Sequence, residues 1–162
     1  MTAALTLRVY TSTSAGTESS SVAGIDFESA DNATNSLANR QANPITVGTN
    51  SYEKWLKLKI DTAPANAVTN FKVWGDGAVQ TSTTLNFTGA YVTGTTPTTG
   101  ASTVANAAFT TYTSGNKATW DSASYSATNA TTKYAVFQLV VDSTCGPGNW
   151  TQETISYSYD ET

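Results

Sequence analysis

Apolar residues along this chain recur at every second position, and over no useful length do they fall at the three-and-four spacing of an amphipathic helix. Leu5 to Ser12 sets Leu5, Leu7 and Val9 against Thr6, Arg8 and Tyr10, the alternation of a half-buried strand. Tyr52 to Asp61 is the strongest element, with Leu56, Leu58 and Ile60 on one face and Trp55, Lys57 and Lys59 on the other. Asn70 to Trp74 turns Phe71 and Val73 inward and ends at Gly75-Asp76-Gly77, a run suited to the positive φ of a tight turn. Thr83 to Thr88 places Leu85 and Phe87 on one side, and Ala90 to Thr93 is a possible pairing partner for a neighbour. Gly94 to Ala105 reads as a loop, and Ala107 to Tyr112 and Ala118 to Trp120 as weak strands.

Lys133 to Asp142 is apolar on both faces except at Gln138, which predicts a central strand of a sandwich. Gly146-Pro147-Gly148 predicts a turn, and Thr151 to Tyr159 closes the chain with Ile155, Tyr157 and Tyr159 on one face. Between Ser14 and Asn50 the pattern fades into polar, Gly/Ser/Asn-rich sequence, with short strands conceivable only at Gly24 to Phe27 and Pro44 to Gly48. The expectation is an all-β, antiparallel β-sandwich or jelly-roll-like fold of about seven to nine short strands. Residues 1–162 form one such domain in this reading, with a long polar excursion or arm at about 14–50.

Composition supports that picture and narrows the function. Only 12% of residues are charged, about half the usual share, and Thr, Ser and Asn fill the polar positions instead. Four Trp, 8 Tyr and 5 Phe argue against a disordered chain. A net charge of −4, with Lys54, Lys57 and Lys59 as the sole basic cluster, excludes the basic patch a nucleic-acid binder needs. Those three lysines read as the solvent side of a strand. No stretch reaches the ~20 apolar residues of a membrane span, and Met1-Thr2-Ala3-Ala4-Leu5 lacks the start of a signal peptide. Four Asn-x-Thr sequons occur, as many as the abundance of Thr and Ser produces by chance.

Candidate chemistry is sparse. The chain has no His, so triads and most zinc sites lack their usual ligand or base. Cys145 is alone and without a His to activate it, and reads as a packed structural residue. Glu53 and Glu153 stand near strand starts and would serve as a glycosidase pair only if the fold brought them together; solvent-facing carboxylates are the plainer reading. Asp26, Glu28 and Asp31 lack the spacing of a calcium loop and read as a solvated turn. No catalytic, cofactor or metal site is expected, and the protein is not expected to be an enzyme. Aromatic residues are the stronger signal: Trp55, Trp74 and Trp150 are the candidate partner contacts, against the alternative that each packs into a core.

Three segments carry a resemblance. Gly48-Thr49-Asn50-Ser51-Tyr52-Glu53-Lys54-Trp55-Leu56, Phe71-Lys72-Val73-Trp74-Gly75-Asp76-Gly77 and Thr154-Ile155-Ser156-Tyr157-Ser158-Tyr159-Asp160-Glu161 resemble a group of tailed-bacteriophage virion structural proteins, over about Leu5 to Glu161. The resemblance implies a β-sandwich that decorates and cements the outside of a capsid, with the major capsid protein as partner, a homotrimer as the assembly and the virion surface as its location. It assigns no chemical role to any residue. Two other readings stand beside it: a carbohydrate-binding or adhesin-like module that stacks a surface glycan on Trp or Tyr, and a phage tail subunit.

Overall fold

The computed structural model describes residues 2–77, 80–146 and 153–162. Among them nine strands form two antiparallel sheets, and the fold is all-β and sandwich-like. The strands are β1 (Ala4–Thr11), β2 (Thr17–Glu18), β3 (Lys54–Thr62), β4 (Val68–Gly75), β5 (Thr83–Tyr91), β6 (Ala107–Ala108), β7 (Ala118–Asp121), β8 (Tyr134–Val141) and β9 (Ile155–Glu161). The larger sheet runs β2-β1-β3-β8-β5-β6 and the smaller β7-β4-β9. One short helix, α1 (Leu37–Ala42), interrupts the excursion, with Ser36 Oγ accepting from Asn39 N at 3.0 Å as its N-cap. Six residues are too few to leave a helical period in the sequence.

The strong alternations became the strands that form the core. Val9, Leu56, Leu58, Ile60, Leu85, Phe87, Ala135, Phe137, Leu139 and Val141 of the large sheet meet Val68, Phe71, Val73, Ala118 and Trp120 of the small one. As expected of a central strand, β8 is flanked on both sides, by β3 with Trp55 opposite Val136 and by β5 with Phe87 opposite Phe137. The sheets approach each other most closely where β5 bends onto β7. A Cβ at Gly89 would stand 2.2 Å from the Thr119 carbonyl oxygen, so this crossing admits only glycine.

Several weak expectations failed for local reasons. Ala107 to Tyr112 pairs only at its first two residues; a 3-10 turn over Phe109–Thr111 then drives the Phe109 ring into the core. Gly24 to Phe27 and Pro44 to Gly48 form no strands. Around Asp26 the backbone follows side-chain bonds instead: Asp26 accepts from Ser36 N at 2.7 Å and pairs with Arg40 at 2.5 Å. The predicted Gly146-Pro147-Gly148 turn extends beyond the described residues. The stretch from 14 to 50 is fastened along its length, through Ser19 N to Val9 O, Val22 N to Leu7 O, Tyr52 N to Glu28 O and Gly48 N to Val141 O.

Candidate functional site

Trp55 does not lie on an exposed face. It is fully buried, as the centre of a second apolar cluster on the outer side of the large sheet. Its ring stands 5.2 Å from Tyr134 and 5.6 Å from Tyr91, both edge-on, while Val136, Val104, Ala105 and Ala15 complete the cluster. The cover comes from residues 94–105, which cross this face as a strap. A Cβ at Gly94 would stand 2.2 Å from the Ser14 carbonyl oxygen, so only glycine lets the strap pass there. Burying a Trp side chain contributes roughly 4–6 kcal/mol of gross hydrophobic stabilisation. Trp55 is a framework residue, and the reading of its face as a partner surface is corrected.

Hydrogen bonds from Gln138, Ser102 and the Glu53 carboxyl tie the strap down. Gln138, fully buried, donates from Nε2 to Ser51 O at 3.0 Å and Gly100 O at 2.8 Å, and its Oε1 accepts from Ser102 N at 2.9 Å. Glu53 accepts from Trp55 Nε1 at 3.0 Å and from the Ser102 hydroxyl, which in turn caps the amides of Val104 and Ala105. Glu53 is therefore consumed by structure. Glu153 stands elsewhere, its Oε1 beside Gly75, so the two glutamates have different neighbours and form no glycosidase pair. Burial, helped by the charge of Asp76, pushes the Glu153 carboxyl up to about 7.

A second fastening uses charge. Lys54 shares its face with Leu56, Leu58 and Ile60, not with Lys57 and Lys59, and is 2% exposed. Its Nζ donates to Asn32 O at 2.7 Å and lies 3.8 Å from Glu28 Oε1, itself 1% exposed. Asp26 is buried too, so neither a solvent face for Lys54 nor a solvated turn at 26–31 survives. Lys57 and Lys59 are half-buried, with Lys57 Nζ 4.0 Å above the Tyr134 ring. Cys145 is a free thiol buried in the main core. Among the described residues no group of His, Cys, Asp and Glu side chains has the geometry to hold a metal ion.

Asp121 closes a third cluster. Burial works to raise its pKa but is outweighed by hydrogen bonds from Lys133 N, Ala123 N and the Tyr125 hydroxyl, which hold the carboxylate below its usual range. This carboxylate fixes the chain between β7 and β8.

The outer face of the small sheet is among the accessible surfaces. Lys72, Thr119 and Ser158 lie in register there, with Trp74 opposite Ser156. Trp74 is half-buried, and Lys117 Nζ sits 4.2 Å above its ring. Lys72 Nζ donates to Thr119 Oγ1 at 2.9 Å and Asn70 Nδ2 to Asp160 Oδ2 at 2.7 Å. Beside this face an open groove of about 460 Å³ runs between β5 and β7, lined by Phe87, Thr88, Gly89, Tyr112 and Lys117. Of the three tryptophans singled out in the sequence, Trp74 alone is described with a partly accessible ring; Trp150 lies outside the described residues.

Sequence reasoning passed over Gln138, Glu53, Lys54 and Glu28 as actors. The available signals were the polar Gln138 in an otherwise apolar central strand and the parity of Lys54 with Leu56. Architecture defines the class, an all-β protein of two packed antiparallel sheets. No protein-family model, curated protein or solved structure matches the chain. No helix among the described residues is long and apolar enough to cross a membrane.

Proposed function

We propose that this protein is a non-enzymatic structural component of a phage virion that decorates and stabilises the outside of the capsid, with the major capsid protein as its partner. The observation that carries the reading is where the polar chemistry goes. Glu53, Gln138, Lys54, Glu28 and Asp121 are all buried and engaged in fastening one part of the chain to another. A shell protein needs a rigid body and a low-charge surface that tolerates crowded identical neighbours, and a 12% charged, Thr-rich sandwich supplies both. Contact with the shell runs through the outer face of the small sheet around Trp74 and Lys117, where an aromatic ring and a cation are held together.

Trp74 serves less well as a sugar platform, because Lys117 already covers one side of its ring. A homotrimer seated on a local threefold axis is the assembly that suits a closed lattice. The test is co-sedimentation of the purified protein with shells of its own virion prepared without it. Saturable attachment is expected, weakened about tenfold or more by Trp74→Ala, as for an interface anchor. Absence of attachment to shells, or attachment to tails alone, would overturn the proposal.

A further inference from the structure

Lys54 and Glu28 form an unusual pair for a β-sandwich. Each is at least 98% shielded from solvent, since they are 2% and 1% exposed. They stand 3.8 Å apart, and neither oxygen of Glu28 has a hydrogen bond of good geometry. A dry charge pair whose carboxylate lacks hydrogen bonds is expensive, and the desolvation of such a pair can outweigh its attraction. Burial accordingly lowers the pKa of Lys54 and raises that of Glu28, each shift opposed by the other's charge. Both shifts run toward the neutral forms, a free amine beside a carboxylic acid. A desolvated neutral lysine is also a nucleophile.

The third member is Asn32. Lys54 Nζ donates to its backbone carbonyl at 2.7 Å, and only the α and β carbons separate that carbonyl from the side-chain carboxamide. The Asn32 side chain also lies beside the Glu28 carboxyl and acts on its pKa as a hydrogen-bonding neighbour. A buried nucleophile and a buried proton carrier thus meet a half-buried acyl acceptor, with Lys54 Nζ already held at the backbone of Asn32. Asp26 and Asp31, the other carboxylates near Lys54, have partners of their own: Asp26 pairs with Arg40 and Ser36, and Asp31 accepts through Oδ2 from the amide of Ser12.

We propose that Lys54 and Asn32 are the two ends of an intramolecular isopeptide bond whose formation Glu28 promotes. Lys54 Nζ attacks Cγ of Asn32, and the Glu28 acid proton moves to the carboxamide oxygen of the tetrahedral intermediate. Glu28 then relays the proton released by Nζ to Nδ2. The Cγ–Nδ2 bond breaks, ammonia leaves, the carbonyl re-forms and Glu28 regains its proton. One C–N bond forms for one broken, so the step needs neither oxidant nor cofactor. The product staples the excursion at 32 to the first residue of β3, replacing an ion pair by a neutral amide. It also converts an expensive buried charge into a covalent cross-link, with the loop-closing stabilisation that brings.

The full-length purified protein, weighed under denaturing conditions, decides the matter. Its mass is expected to fall short of the sequence mass by one molecule of ammonia. Trypsin is expected to release a branched peptide joining 9–40 to 41–57, because cleavage after an acylated Lys54 is blocked. Glu28→Gln and Asn32→Ala are each expected to weigh their full sequence mass and to give the separate linear peptides. Should those variants fail to fold, the mass and branched peptide of the natural chain stand alone as the readout. A natural chain at full sequence mass with linear peptides overturns the proposal. Loss of water in place of ammonia overturns the assignment of Asn32 as acceptor.

Discussion

Two stretches of irregular chain cover this sandwich, and they are fastened by different physics. The strap at 94–105 lies on the outer face of the large sheet and is held mainly by neutral groups, with Gln138 and Ser102 bonding backbone, Trp55 packing beneath and the Glu53 carboxyl accepting from Ser102 without an opposing cation. The excursion around 26–43 is held by charged groups, Lys54 with Glu28 and Arg40 with Asp26. A neutral buried hydrogen-bond network contributes through satisfaction of every member, so losing one member leaves several groups orphaned. A buried charge pair contributes little in net terms, yet is severe to break by halves. The same outcome, a loop fixed on a sheet, therefore carries different liabilities at the two sites.

The largest effect should come from splitting the charged fastening. Lys54→Met leaves Glu28 buried without its partner, removes the cross-link proposed to Asn32, and is expected to destabilise the fold by about 3–5 kcal/mol in denaturant unfolding. Adding Glu28→Leu to that variant should recover part of the loss. A double variant no better than Lys54→Met would mean that Glu28 carries no uncompensated charge. Next, Gln138→Leu orphans Ser51 O, Gly100 O and Ser102 N together and is expected to cost about 2–3 kcal/mol. It should also loosen the strap first, seen as faster amide exchange at 100–105 than in β8. Uniform acceleration across both would erase the distinction between strap and sheet.

A smaller effect follows from Glu153, whose carboxyl is pushed up to about 7 by burial from an ordinary 4.5. The folded state therefore holds a proton that the unfolded state has already released between these values. That contribution is fully present below pH 4.5 and is lost as pH rises through about 7. With partial solvent screening the loss is about 1 kcal/mol. Glu153→Gln should flatten this part of the stability profile, and an unchanged profile would show the group to be solvated. Smallest of all, Trp74→Ala is expected to change stability by about 1 kcal/mol or less, because its ring is only half-buried on an outer face. Its effect belongs to binding.

The contrast also explains what the sequence could reveal. Strands β1, β3, β4, β5 and β8 were legible because period-2 alternation is a direct consequence of one face being buried. Trp55 was misplaced because alternation reveals two faces without telling whether the second is wet. The clue was in β8, whose Tyr134, Val136 and Val140 are apolar on the side away from the main core. A sheet with such a central strand needs cover on both sides, and Trp55 pairs directly with Val136. Lys54 was legible by parity, since it shares the face of Leu56 and Leu58. Glu28 was not, because its partner lies far along the chain and nothing local distinguishes a buried carboxylate from a solvated one. The helix at Leu37–Ala42 and the two-residue strands fall below the length at which any period is visible.

The role proposed for the protein turns on which surface meets the shell. Imaging of decorated shells by electron microscopy at a resolution that places individual strands is the most direct measurement. Density for the sandwich is expected on the capsid exterior, with β7, β4 and β9 against the shell at Trp74 and the strap at 94–105 facing outward. Density confined to the tail, or a capsid contact made through the strap while the small sheet stays exposed, would contradict it.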